Sequence, residues 1–470
     1  MSTERLYMKS KSLVWILLII STGLYAQNRY QSEIFRNCSV TASDCVYKTV
    51  EHTVLYINRK QDLKMDIYSP VGDTLSKRPL LIWLHSGGYV MGNFKDREIV
   101  RLCEDFAKRG FVTASVEYRL YTFGNALNLW KLIYKAAQDV NDATDYLINN
   151  ANIYGISPNY VYLGGFSAGA ITALHCGFLH QENQTDFSNQ NLPNIYGSVS
   201  PFTDIPYKGI ISIAGGVPHN EIITNRYPVA VLSFHGDRDA LVNTLYGTPV
   251  YEIENTDVVS IYNHVTSFLG GIASEISEDF FLNIALKDAI IPPLYGSLST
   301  HKKFDQLKIK NMLHLFEGQG HSLFKNMDVN SFIYDTIKNK VTEFLYQLLK
   351  PDTDKRLSVS NYSPAVSRNS TVTYEAPQGF SKYLWKIENG SVLEENENKI
   401  RICWNKKGEG IIKLLVANEV GCYSDTAVFK VNIERKTQRT GTGNGFRFVL
   451  IAALVLLVII YVVYRKNKNR

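Results

Sequence analysis

Residues Tyr160 to Gly177 read "YVYLGGFSAGAITALHCG", and this passage sets the class of the chain. Its first half is an apolar run rich in aromatic and β-branched residues, the pattern of a buried strand; its second half reads as a helix. Ser167 stands between them in a G-x-S-x-G pattern, with Gly165 two residues before and Gly169 two after. A serine on so sharp a strand-to-helix corner is held clear of the sheet, at a helix N-terminus. A Cβ at 165 or 169 would crowd the turn, hence the glycines. The pattern alone is unspecific, because glycine is common; its place on a strand–helix junction gives it weight.

On either side, from about residue 50 to 350, short apolar runs alternate with helical patterns. "TVLYIN" and "LKMDIYSP" read as a leading pair of strands, followed by "PLLIWLH", "FVTASVEY", "YVYLGG", "GIISIAG", "VAVLSFHG" and "MLHLFEG". Continuous apolar runs are the mark of strands covered on both faces. Helices are expected over Asp96–Arg109, Trp130–Asn150, Ala168–His180 and Ser331–Leu349. The fold class is therefore α/β, a mostly parallel sheet with helices on both sides. An insertion at about 243–300 interrupts the alternation. In it Ile261, Val265, Phe268, Leu269, Ile272 and Ile276 repeat at helical spacing, with Gly270 and Gly271 against that reading. It is expected to be partly helical, and either a lid or a docking surface.

Composition divides the rest. The 470 residues are too many for one ordinary core, and 45% hydrophobic with 20% charged residues excludes a disordered chain. The formal charge of +6 lies at the ends: residues 1–26 carry a net +2 and the last 24 carry +5, so the middle is nearly neutral. That argues against nucleic acid as a partner. Residues 1–26, with Lys9 and Lys11 before "LVWILLII", read as a signal peptide, or as an uncleaved anchor. Residues 448–464 hold no charge and are just long enough for a transmembrane helix. The basic tail 465–470 marks the cytoplasmic side, which places the rest outside the membrane; a processed sorting tail is the alternative.

Between 358 and 434 five strand-like runs point to a small β-sandwich with Trp385 as its core aromatic, joined through a polar linker at 435–447. In an exported protein Cys38 could pair with Cys45, and Cys403 with Cys422; Cys103 and Cys176 read as buried thiols. Five N-x-[ST] sequons, at Asn37, Asn183, Asn361, Asn369 and Asn389, are near chance in an Asn-rich chain.

A serine nucleophile needs a base and donors for the oxyanion formed when it attacks a carbonyl. "HSGGY" places His85, Gly87 and Gly88 just after a strand, where backbone N–H groups can converge with that of Ala168. His85 is expected to shape this turn rather than exchange protons. The segments "HSGGY", "VEYRL", "GFSAG", "HGDRD" and "GQGHS" occur in an order similar to that of α/β-hydrolases. Over about residues 50–350 the chain resembles the carboxylesterase and hormone-sensitive-lipase-like branch, whose hallmark is H-G-G-G, and this resemblance implies a hydrolase domain at 27–350. Ser86 departs from that hallmark, while Gly87 and Gly88 match the two glycines that supply donors. The resemblance implies Ser167 as nucleophile, Asp239 of the H-G-x-x-D pattern as acid and His321 as base, with Asp237 a turn former. It implies a serine ester hydrolase that needs no cofactor or metal and acts on a small-molecule or glycan ester. A recognition protein like the cholinesterase-like adhesion molecules, or a serine peptidase, are the alternatives. The sandwich loosely resembles PKD-like and immunoglobulin-like modules, as a spacer or a binding module.

Overall fold

The computed structural model describes residues 29–54, 57–121, 128–179, 205–227, 229–249, 292–324, 332–351, 357–435, 454–462 and 465. The signal-peptide reading and the helical repeat of the insertion lie outside them. The backbone divides into two compact units. One is Met1–Thr353 with Gly379–Lys382 and Val416–Asp425; the other is Asp354–Gln378, Tyr383–Leu415 and Thr426–Arg470.

The first unit is built on an eight-stranded sheet: β1 (Cys38–Val54), β2 (Ile57–Pro70), β3 (Arg78–Leu84), β4 (Val112–Val116), β5 (Ile156–Phe166), β6 (Gly209–Ile213), β7 (Ala230–Gly236) and β8 (Asn311–Phe316). Their spatial order is β1-β2-β4-β3-β5-β6-β7-β8. β1 and β2 pair antiparallel, as do β2 and β4, and every later pair is parallel. The leading hairpin differs from expectation. β1 begins at Cys38, and the apolar "TVLYIN" is divided between the end of β1 at Val54 and the start of β2 at Ile57 instead of forming the first strand. β1 is an edge strand, mostly polar and exposed, with three irregularities in register, so it carries no continuous apolar run.

Among the described residues the first unit's helices longer than one turn are α1 (Arg97–Ala107), α2 (Leu129–Asn149), α3 (Ala168–Phe178), α4 (Ser297–Gln306) and α5 (Phe332–Leu349). Alternation along the strands sends side chains to two cores. Leu80, Ile82 and Leu84 of β3 pack with Ile133 and Val140 of α2 and Ile171 and Leu174 of α3. Leu81 and Trp83 pack with Leu102 and Phe106 of α1 and Ile337 and Val341 of α5. Each sheet face is thus covered, as the apolar runs require. Val420 and Cys422 are buried in the second core, and Tyr30 Oη donates to Val420 O at 2.5 Å, which is why Val416–Asp425 belongs to this unit. A three-stranded sheet of Gly216–Val217, Leu294–Gly296 and Tyr246–Gly247 holds both ends of the insertion.

The second unit has sheets of four and three strands. The five expected runs are strands, joined by Ala365–Ser367 and Ser391–Asn396. Its core aromatic is Trp404, not Trp385. On Lys399–Trp404 the residues Ile400, Ile402 and Trp404 all turn inward, and Trp404 Nε1 donates to Tyr374 Oη at 3.0 Å. Trp385 stays half-exposed. Asn361, Asn369 and Asn389 have φ of 57°, 62° and 60°, a left-handed turn conformation that asparagine tolerates. Turn geometry accounts for three of the five sequons.

All six cysteines are free, so the expected disulfides are absent. Cys38 and Cys45 lie seven residues apart on one strand, roughly 20 Å at strand rise, against a limit of about 7 Å between bridged Cα atoms. Cys422 is buried in the core of the first unit, and Cys403 lies on a strand of the second. Among the described residues no helix is long and apolar enough to cross a membrane; residues 454–462 are helical, and the rest of 448–464 lies outside the description.

Candidate active site

Ser167 occupies the corner between β5 and α3 with φ 54° and ψ −116°, a conformation that costs a non-glycine residue energy. Its N–H donates to Ile213 O at 2.8 Å, pinning the corner to the adjacent strand. The flanking glycines are required by close approach. A Cβ on Gly165 would run into the Gly169 carbonyl and lie 2.7 Å from Ala170 N. One on Gly169 would lie 2.5 Å from both Leu84 O and His85 O. The helix therefore starts hard against the end of β3, and the positive end of its dipole lies at Ser167.

His321 lies in the loop after β8. Its Nε2 is 2.8 Å from Ser167 Oγ and its Nδ1 is 2.8 Å from Asp239 Oδ2. A carboxylate only accepts, so Nδ1 carries the proton and Nε2 is free to accept from the serine hydroxyl. Ser167 and Asp239 are each 5% exposed. Asp239 follows β7, and its Oδ1 accepts from the N–H groups of Leu241 (2.9 Å) and Val242 (2.8 Å). Burial alone would raise its pKa, but hydrogen bonds from His235 and His321 outweigh that and hold the carboxyl well below the usual range. Asp237 instead accepts from Gly318 N at 2.7 Å, tying the turn after β7 to the turn after β8.

The loop after β3 holds His85, Gly87 and Gly88. Gly87 (φ 114°) and Gly88 (φ 59°) are left-handed, and a Cβ on Gly87 would collide with Met91 O. The His85 ring is fully buried and stacks on Tyr118 at 4.2 Å and 5°, while Tyr118 Oη donates to His85 O at 2.8 Å. Tyr89 Oη donates to Ala168 O at 2.9 Å, joining this loop to the start of α3. His85 thus supports the loop from beneath. Two other histidines stay structural: His175 is buried in α3 with Nδ1 on Ile171 O at 2.7 Å, and His314 lies on β8 edge-on to Phe316.

Sequence reasoning passed over two residues. Phe166 stacks on the His321 ring at 5.6 Å and 25° and meets Phe324 edge-on at 5.0 Å. His235 Nε2 lies 3.0 Å from Asp239 Oδ2. Their adjacency to Ser167 and to the H-G-x-x-D pattern was the available signal. Among the described residues no cluster of histidine, cysteine and carboxylate is arranged to hold a metal ion.

The strand order, the elbow after β5, and glycines in the loop after β3 meet in one domain type. The first unit has the strand order and the elbow of the α/β-hydrolase fold. The family model described as BD-FAE matches residues 65–215, which hold Ser167, Gly87 and Gly88 and leave out Asp239 and His321. The chain is similar to Gut esterase 1 of Caenorhabditis elegans, 31% identical over 101 residues, 20% of this chain and 17% of that one. It is similar to the isoprenylcysteine alpha-carbonyl methylesterase of Arabidopsis thaliana, 24% identical over 134 residues, 28% of this chain and 29% of that one. The matches thus span less than a third of the length of these curated relatives. The apo form of Thermogutta terrifontis esterase 2 aligns with 66% of this chain and 96% of its own, at 16% identity and a TM-score of 0.40.

Proposed function

We propose that this α/β-hydrolase is a serine hydrolase of carboxylic esters, tethered to a membrane by its C-terminal segment with the hydrolase domain outside. The observation that carries the reading is the relay from Ser167 Oγ to His321 Nε2 and from His321 Nδ1 to Asp239 Oδ2, each step 2.8 Å. The esterase relatives and the BD-FAE match support the ester as substrate class.

The chemistry is acyl transfer in two steps. His321 takes the Ser167 proton as Oγ bonds to the ester carbonyl carbon. The carbonyl oxygen becomes an oxyanion, held by the N–H groups of Gly87, Gly88 and Ala168. The tetrahedral intermediate collapses, the alcohol leaves with the proton from His321, and the acyl group stays on Ser167. Water then gives its proton to His321, attacks the acyl carbon and releases the acid, and Ser167 regains its proton. Asp239 keeps the imidazole in the accepting tautomer throughout. The reading requires no cofactor.

The charge-free stretch 448–464 followed by "RKNKNR" supports the tether, and residues 454–462 within it are helical with exposed apolar side chains. The β-sandwich then serves as a PKD-like spacer between enzyme and bilayer. The test is hydrolysis of p-nitrophenyl acetate by the full chain, together with labelling by a fluorophosphonate. Ser167→Ala is expected to abolish both. A variant that hydrolyses the ester at the parent's rate would remove Ser167 from the mechanism.

A further inference from the structure

Asp239 accepts four hydrogen bonds, and only three belong to a turn and a catalytic pair. The fourth donor is His235, at the end of β7, fully buried. Its Nε2 lies 3.0 Å from Asp239 Oδ2 and 2.9 Å from Val242 O. A carbonyl oxygen and a carboxylate both only accept, so Nε2 bears a proton shared between them. Its Nδ1 is buried with no partner among the described residues. A proton there would be a buried donor with nothing to receive it, which costs more than a bare lone pair. The geometry therefore fits a neutral imidazole with its single proton on Nε2.

This matters because of what Oδ2 does. The same oxygen receives His321 Nδ1, so its position sets the plane and the tautomer of the base. The backbone fixes only Oδ1, through Leu241 and Val242. Rotation about the Cγ axis is stopped by a second anchor on Oδ2, and His235 is that anchor.

We propose that His235 is a positioning residue for the reaction: its Nε2–H fixes Asp239 Oδ2 and, through it, the ring of His321. The proposal rests on the triad reading above and adds a fourth side chain to it. Glutamine can place an N–H where Nε2 lies, whereas phenylalanine keeps the bulk of the ring and has no donor.

The test uses the full chain with parent, His235→Gln and His235→Phe, p-nitrophenyl acetate as substrate, and thermal melting as the check on folding. For His235→Phe we expect kcat down about tenfold with KM within about twofold, the lower end of what losing an outer partner of a functional ring costs. His235→Gln should keep kcat within about threefold of the parent. A folded His235→Phe with the parent's kcat overturns the proposal. So does a folded His235→Gln as slow as His235→Phe, because that pattern reports packing and not donation. The ¹⁵N spectrum of histidine-labelled parent at pH 7.5 decides the matter if His235→Phe does not fold. A proton on Nε2 of His235 is expected, and a proton on Nδ1 overturns the proposal. Should the parent itself neither hydrolyse the ester nor take up the fluorophosphonate, the ester-hydrolase reading fails. The spectrum still decides whether His235 donates to Asp239.

Discussion

Asp239→Asn tests the relay at its least replaceable atom. The Asp239 carboxylate accepts from two backbone N–H groups on Oδ1 and from two imidazoles on Oδ2. An asparagine has one accepting oxygen and one donating nitrogen, so it must choose. Turning its nitrogen toward Leu241 and Val242 would set donor against donor twice, a loss of about 1 kcal/mol or more for each bond. With its oxygen on the backbone the amide opposes only one fixed donor, His235 Nε2–H, so it will take that orientation and aim its NH₂ at the two imidazoles, of which His321 Nδ1 can change tautomer to accept. That nitrogen must then accept, and the ring proton moves to Nε2, 2.8 Å from Ser167 Oγ. A protonated Nε2 cannot take the serine proton. The comparable change in a serine protease triad costs about 10⁴ in kcat, or roughly 5.5 kcal/mol of barrier. Steady-state hydrolysis of p-nitrophenyl acetate should show this loss in kcat, with KM within about threefold, because the carboxylate touches no substrate. Stability should fall modestly, by about 1 kcal/mol, because the new NH₂ faces the His235 Nε2–H. A folded Asp239→Asn enzyme within tenfold of the parent's kcat would refute the argument, and so would a loss carried by KM.

Three other outcomes follow from the same geometry. Gly165→Ala puts a Cβ against backbone atoms of Gly169 and Ala170, which cannot swing aside as a side chain can; about 3 kcal/mol of destabilisation is expected in chemical unfolding, with ester hydrolysis lost in the folded fraction. Phe166→Ala removes the face against which His321 stacks, worth about 1 kcal/mol, so kcat should fall about fivefold at constant KM. His175 is fully buried, and burial pushes its pKa down to about 4 from an ordinary 6.5. The unfolded chain thus binds the extra proton first. The stability His175 contributes is complete above pH 6.5 and is lost as pH falls from there toward 4, about 3 kcal/mol in all. Unfolding curves of His175→Gln should lack that part of the acid slope.

The elements that sequence pattern placed well are those whose burial is one-sided or total. α1, α2, α3 and α5 begin and end within two residues of their expected bounds, because α1, α2 and α5 press an apolar face on the sheet and α3 is buried on every side. β1 was misplaced because an exposed edge strand needs no apolar run. Trp404 fills the core in place of Trp385, and the alternation of Ile400, Ile402 and Trp404 was there to be read. In the site, Ser167 was readable from eighteen contiguous residues. Phe166 was not, because its partner His321 is distant in sequence and only folding brings it near; His235 stands in the same H-G-x-x-D pattern as its partner Asp239, but the pattern alone does not show that its ring reaches Oδ2.

The sheet order explains why the three residues of the relay sit at different distances from their strands. Ser167 follows β5 directly, Asp239 comes three residues after β7, and His321 comes five after β8. In space β5 and β8 are three strands apart, with β6 and β7 between them. At the usual strand spacing that is about 14 Å, far beyond the reach of a histidine rooted at a strand end. The loop after β8 must therefore fold back over the edge of β7. Backbone ties hold it there: Asp237 N–H donates to Phe316 O at 3.1 Å and Arg238 N–H to Gln319 O at 2.9 Å. Gly236 lets this happen, since a Cβ on it would collide with Gln319 O and Gly320 O. The glycine of "HGDRD" thus serves the histidine of "GQGHS", so the two segments act as one device across 82 residues of sequence.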